Sequence, residues 1–257
     1  MRPIWTGAIG FGLVNIPVKL YSATKESNLD LDMLDKKDLS NIKFMRINEK
    51  TGKEVAHANI VKGFMVDSKY VILDDKDFEN ASAVKTKVIE ISDFVLENEI
   101  ESIYYEMPYY VAPEKSGERA YALLKEALLK TGKVGIATFV MRNKEHLSIL
   151  KATDDALVLN RLRFSEEIRD VKELEITATT AVKPGELKMA ISLINQLSGN
   201  FKISTYKDNY TAQLLKLIKA KARGTKPAAS KMKVVHSKAK DLMEQLKESL
   251  SKSKKAS

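Results

Sequence analysis

Cysteine is absent from the 257 residues, so the chain offers neither a disulfide framework nor a thiolate metal site, and a small secreted domain held by bridges loses its main support. Long apolar runs are missing as well. Nothing approaches the ~20 residues of a membrane-crossing helix. The apolar stretch from Ile4 to Val18 imitates a targeting signal, but only Arg2 precedes it and Asn15 and Pro17 interrupt it. A cytoplasmic protein without a membrane partner is therefore expected.

The parts of several common enzymes are missing too. There is no G-x-x-x-x-G-K-[S/T] and no G-x-G-x-x-G; the nearest phrase, Lys130-Thr131-Gly132-Lys133, lacks the upstream glycine. No G-x-S-x-G elbow and no thiol nucleophile supply acyl transfer. His57, His146 and His236 are far apart and form no H-x-x-x-H pair. The carboxylate pairs Asp74-Asp75, Asp154-Asp155 and Glu166-Glu167 are adjacent residues, which suit solvated turns better than acid/base work. No cofactor is called for, and His57 reads as a surface residue.

What is present is enough apolar material, 44%, for a sizeable core, and a net charge of +9. The charge is unevenly spread. From Lys216 to Ser257 there are 13 Lys/Arg against 3 acidic residues, so the upstream body is neutral, with 30 against 31. Within the body, residues 67–118 carry 13 acidic and 5 basic residues, whereas residues 119–164 carry 9 basic and 4 acidic. A neutral sum thus conceals a polarised surface.

Short runs rich in Val, Ile, Phe and Tyr dominate the first two thirds: Val61–Val66, Tyr70–Leu73, Val88–Val95, Ile103–Val111, Val134–Met141, His146–Ala152 and Ala156–Phe164. Polar turns at Asp67-Ser68-Lys69, Arg142-Asn143-Lys144 and Asp154-Asp155 predict antiparallel hairpins, hence a barrel or meander. One helix interrupts them, capped by Ser116, with Ala120, Leu123, Leu124, Ala127 and Leu128 on one face and Gly132 at its end. After Pro184 the period changes to 3.6, with Leu187, Ile191, Ile194 and Leu197 on a stripe. A further helix spans about Asn209–Arg223, a linker Gly224–Ser230, and a last amphipathic helix Ser237–Leu250. The fold class is mainly β with α.

The phrase IWTGAIGFGLVNIPVKLY (Ile4–Tyr21) resembles the opening of the bacterial Ku family, proteins that bind DNA ends in non-homologous end joining. IVKGF (Ile60–Phe64), YVILDDKDFE (Tyr70–Glu79), the segment Glu99–Arg142, ALVLNRLRFSEEIRD (Ala156–Asp170) and KDNYTAQLLKLIKAKA (Lys207–Ala222) resemble the same family in the same order. The resemblance reaches to about Gly224. It implies a β-barrel core with an extended bridge that forms a ring in a homodimer, plus a C-terminal helical arm embracing the partner subunit. The divisions are then 1–183 for barrel and bridge, 184–224 for the arm, and 225–257 for a basic extension with a short amphipathic helix. In such a strand Gly7, Gly10 and Gly12 mark bends or close backbone approach, or ordinary irregularity. Relatives carry cysteines in the hairpin corresponding to Phe44–Val55, where this chain reads FMRINEKTGKEV, so no thiol or metal role carries over.

The resemblance implies sequence-independent binding of double-stranded DNA ends, end protection and recruitment or stimulation of an ATP-dependent DNA ligase, in a nucleoid-associated protein. A ring sliding over any sequence touches phosphates rather than base edges. The candidates are Lys19, Lys36, Lys37, Lys43, Arg46, Lys53 and Lys62 in or near the strand-and-bridge region, with Arg142 and Lys144 at a hairpin facing the hole. The acidic block 67–118 is expected outside the ring. The stripes at Leu187–Leu197 and Leu214–Ile218 are expected to bury in the subunit's own body or in the dimer partner. Two other readings compete: a general basic architectural protein, and a lyase that opens abasic sites through a lysine Schiff base, which the resemblance makes conceivable.

Overall fold

The structure is a computed structural model that describes residues 1–81, 87–142, 144–174 and 182–225, with positions 246 and 249. The chain divides into two compact units, one of Met1–Glu26 with Leu31–Val171 and one of Ser27–Asp30 with Lys172–Ser257. Most of the linker expected after Gly224 and nearly all of the expected helix Ser237–Leu250 lie outside the described residues.

Alternation of apolar and polar residues produces the first unit. β1 (Trp5–Phe11), β2 (Val14–Ser22), β5 (Val88–Leu96), β6 (Tyr105–Pro113), β7 (Lys133–Met141), β8 (Lys144–Ala152) and β9 (Leu157–Leu162) form a closed barrel in the order β1-β2-β6-β9-β8-β7-β5. Six of the seven pairings are antiparallel. The seventh joins β1 and β5 in parallel through Ala8↔Val88, Ile9↔Ile89 and Gly10↔Glu90. Every second residue points inward, so Ile9, Val18, Leu20, Val111, Phe139, Leu150, Leu157 and Leu159 fill one core. The opposite parity supplies a satellite cluster of Val134, Ile149 and Leu162 on the outer wall.

The N-terminal phrase is a hairpin of two strands. Gly12 turns it at φ +57, in the left-handed region that favours glycine. Gly7 has a different reason: a Cβ there would collide with the Trp5 ring and the Lys87 carbonyl, where the Ala8 amide reaches Lys87 O at 2.8 Å. Gly12 thus marks a bend and Gly7 a close backbone approach.

One end of the barrel is covered by α2 (Glu118–Thr131). Leu124 and Leu128 join the core, and the hydroxyl of the half-buried Tyr121 donates to Val111 O (2.8 Å) while accepting from the Leu157 amide (2.8 Å). Gly132 ends the helix at φ +64, its N–H on Leu128 O. Ser116 does not cap it: the N-cap is Gly117, packed too close to Pro17 for a larger residue to sit easily. Leu123, expected on the inner face, is exposed.

Between β2 and β5 the chain leaves the barrel and returns at the same end. This insert holds β3 (Lys62–Val66) and β4 (Lys69–Leu73), an isolated two-stranded sheet turned by Asp67 and Ser68, both at positive φ. α1 (Asp75–Ala81) follows. The pair Asp74-Asp75 is thus a helix start rather than a turn: the Asp74 carboxylate accepts from the Asp77 amide and Asp77 returns the bond. Asp154-Asp155 is a turn, closed by Thr153 on Ala156.

In the second unit α3 (Pro184–Leu197) begins with proline and α4 (Asn209–Ala222) is capped by Asp208 on Thr211. Neither helix has a buried residue. No helix of the described residues is long and apolar enough to cross a membrane.

Candidate nucleic-acid interface

The nine candidate cations fall into three settings. Lys36 and Lys37 stand on one small hairpin of the insert, Arg46 and Lys53 on a second, and Lys43 between the two. The first closes through Asp35 and Ser40, with Asp35 also accepting from the Lys37 amide. The second closes through Arg46 on Val55 and Asn48 on Lys53, with the Asn48 carboxamide holding the turn and Gly52 at φ +65. All five side chains are exposed. Carboxylates are interleaved with them: residues 30–62 hold seven Lys/Arg and six acidic residues. Asp38 stays firmly ionised, because the Ser40 amide and hydroxyl hold its carboxyl below the usual range.

Lys19 and Lys62 form the second setting. Lys19, on β2, lies 3.2 Å from Glu114. Lys62, at the start of β3, has its ammonium 4.4 Å from the centroid of the Phe78 ring. Both cations therefore already have a neighbour that a phosphate would have to compete with or share.

Arg142 and Lys144 form the third. Arg142 is the first residue of the two-residue turn between β7 and β8 and Lys144 the first residue of β8; the other turn residue, Asn143, lies outside the described residues. Arg142 is held at φ +55, an uncommon conformation for a side chain of this size, and makes no ion pair among the described residues. Lys144 is 3.6 Å from Glu167. The Phe164 amide and then Lys144 hold the Glu167 carboxyl below the usual range, so the Glu166-Glu167 pair is a turn that also positions a cation.

The β7–β8 turn stands at the open end of the barrel, where the insert also departs and returns. There the inward positions are not filled by aliphatic side chains. His146 on β8 and Arg161 on β9 occupy them, beside Met141 and Tyr109, and with Arg142 and Lys144 they line a cleft of about 540 Å³. Arg161 donates to Glu106 at 2.8 Å, and its Nε is buried with no hydrogen-bond partner among the described residues. Burial, then Arg161 and Lys144, push the His146 imidazole below its ordinary value, partly offset by a hydrogen bond with the Met141 backbone and by Glu106. His146 also packs on Phe139, whose ring meets Trp5 edge-on, and the Trp5 indole donates to Val140 O.

Sequence reasoning missed Arg161 and His146. A signal existed: Leu157, Leu159 and Arg161 share one parity of β9, so a cation stands where a third aliphatic residue would continue the core. His57 is exposed on a short turn, as expected.

Residues 10–189 match the family model described as the Ku70/Ku80 beta-barrel domain. Among curated relatives, the "Non-homologous end joining protein Ku" of Cupriavidus necator is 40% identical over 226 residues, 86% of this chain and 67% of that protein. Proteins of the same name from Opitutus terrae and Archaeoglobus fulgidus are each 41% identical, covering 86% and 87% of this chain and 80% and 89% of their own. Among solved structures, the SPOC domain of human PHD-finger protein 3 overlaps 63% of this chain and 95% of its own at 12% identity, with a TM-score of 0.31, too low to bear on fold or function.

Proposed function

The chain belongs to the Ku family, the DNA-end-binding proteins of non-homologous end joining, and from that premise we propose that it encircles double-stranded DNA ends as a homodimer. The observation that carries the dimer is the insert. From Leu31 to Leu73 not one residue is buried, although the segment holds Leu39, Phe44, Phe64, Tyr70, Val71 and Ile72. A two-stranded sheet such as β3–β4 is marginal by itself in water, and this many exposed large apolar side chains in one segment point to an interface. A second copy related by a two-fold axis covers the patch with itself.

Binding is sequence-independent because the cations available are lysines and arginines on the insert and at the mouth of the barrel, suited to phosphates. Lys36, Lys37, Lys43, Arg46, Lys53 and Lys62 on the insert, with Lys19, Arg142 and Lys144 on the barrel, are the assigned contacts. Residues 1–183 form barrel and bridge, 184–224 the helical arm that reaches the partner subunit, and 225–257 a basic extension that grips DNA or engages an ATP-dependent ligase. The protein binds rather than catalyses, next to the nucleoid; borohydride trapping on abasic DNA tests the lyase alternative.

A closed ring must load at a free end. Linear duplex is expected to bind readily at moderate salt, a closed circle hardly at all, and a duplex capped at both ends after loading should retain its protein. Equal affinity for circle and linear duplex would replace the ring by a basic architectural protein. Removing residues 225–257 should weaken DNA affinity yet leave a dimer in gel filtration; a monomer would move the arm boundary into the extension.

A further inference from the structure

The open mouth of the barrel has a chemistry that the surrounding surface lacks. Arg142, Lys144 and Arg161 converge there against two carboxylates, Glu106 and Glu167, which leaves the rim positive, and Arg161 is fixed by Glu106 with one N–H still unsatisfied. Beside the cations the same cleft is lined by two apolar side chains that reach water, Ile4 just before β1 at 43% exposure and Met107 on β6, the strand next to Arg161's, at 41%. The cavity, at about 540 Å³, lies within the roughly 300–1,000 Å³ of small-ligand sites. A duplex backbone reaches only the rim of such a hollow, since its bases are stacked away from the phosphates. A single unpaired nucleotide fills it.

We propose that this mouth binds one unpaired nucleotide, its phosphate against Arg142, Lys144 and Arg161 and its base against Ile4 and Met107. The ligand class is a nucleoside phosphate, supplied either by a single-stranded overhang at a DNA end or by a free nucleotide. The first source rests on the end-binding reading above. Taking up a base costs least where it is already unstacked, and a base laid on an apolar platform is recognised without regard to sequence, which suits breaks of arbitrary sequence. His146 lines the same cleft as Arg142, Lys144 and Arg161, so a phosphate held by those cations lies close to its imidazole.

The test uses the full-length protein with deoxythymidine monophosphate, inorganic phosphate, and a duplex hairpin-capped at one end and either blunt or carrying a short overhang at the other. Deoxythymidine monophosphate is expected to move the imidazole resonance of His146, identified among the three histidines by its loss in His146→Gln. The overhang duplex is expected to bind about fivefold tighter than the blunt one, through the apolar surface of Ile4 and Met107 that the base covers. In Ile4→Ser/Met107→Ser that ratio should fall to about one with blunt-end affinity kept, and Arg142→Gln/Lys144→Gln should abolish the response to the mononucleotide. A mononucleotide response without an overhang preference assigns the mouth to free nucleotides and upholds the site. An unmoved His146 resonance, or an equal response to inorganic phosphate and the mononucleotide, overturns it. Loss of the linear-over-circular preference would count against the ring alone, since the mononucleotide arm needs no DNA.

Discussion

The barrel and the insert between β2 and β5 use the same apolar residue types and come to opposite ends. In the barrel, Ile9, Leu20, Phe139, Leu150 and Leu157 are fully or almost fully buried. In the insert, Phe44 is 83% exposed and Phe64 and Tyr70 each 68%. The difference is topological: a sheet that closes on itself shields one face of every strand without help, whereas a two-strand ribbon has no second layer. The barrel is complete within one chain, whereas the insert leaves its apolar side chains uncovered by the described residues.

Removing one large aromatic from each region separates the two cases. Phe139→Ala should destabilise the protein by about 3–5 kcal/mol in denaturant unfolding, through lost burial and the cavity left behind. Phe64→Ala should cost a dilute monomer no more than about 0.5 kcal/mol, yet shift sedimentation from dimer towards monomer. Equal unfolding costs with an unchanged dimer would place Phe64 in a core and undo the contrast.

A second substitution sharpens the account of the barrel's closed end. The Tyr121 hydroxyl satisfies a strand carbonyl and a strand amide, so Tyr121→Phe strands both and should cost about 1–3 kcal/mol. No measurable loss would mean that water replaces the hydroxyl there.

At the open end the expected effects are smaller and electrostatic. DNA affinity should fall with salt at about −0.9 in log–log slope per neutralised phosphate, and alanine at both Arg142 and Lys144 should reduce that slope by roughly 1 to 2. Lys115→Ala, beyond the opposite end of the barrel, should leave it unchanged. A flat salt response in the unaltered protein would refute phosphate contacts altogether.

The least of the expected effects concerns His146. Its folded-state pKa lies below its ordinary value of 6.5, chiefly through burial, so the unfolded chain takes up the proton first. Its contribution to stability is complete above that ordinary value and is lost as pH falls towards the folded value, by at most about 1.4 kcal/mol per pH unit. His146→Gln should remove this slope between neutral pH and the onset of carboxylate titration; an identical slope in the variant would assign it to other groups.

Composition, period and turn chemistry determined a good deal. Alternation in the runs from Val88 to Phe164 placed five of the seven barrel strands, and glycine placed the end of α2. The ordered phrases from Ile4 to Ala222 placed the family. Two local errors, Ser116 as a cap and Asp74-Asp75 as a turn, arose because a capping residue and a turn residue are the same residue types read one position apart. Tertiary structure alone decided the parallel pairing of β1 with β5, which joins residues 80 apart in sequence and closes the barrel. It also decided that Arg161 and His146 meet Arg142 and Lys144 at one mouth. The reason is physical: periodicity states which face of a segment is apolar, but what covers that face, and which charges meet at the end of a strand, depends on contacts between distant parts of the chain that no local pattern encodes.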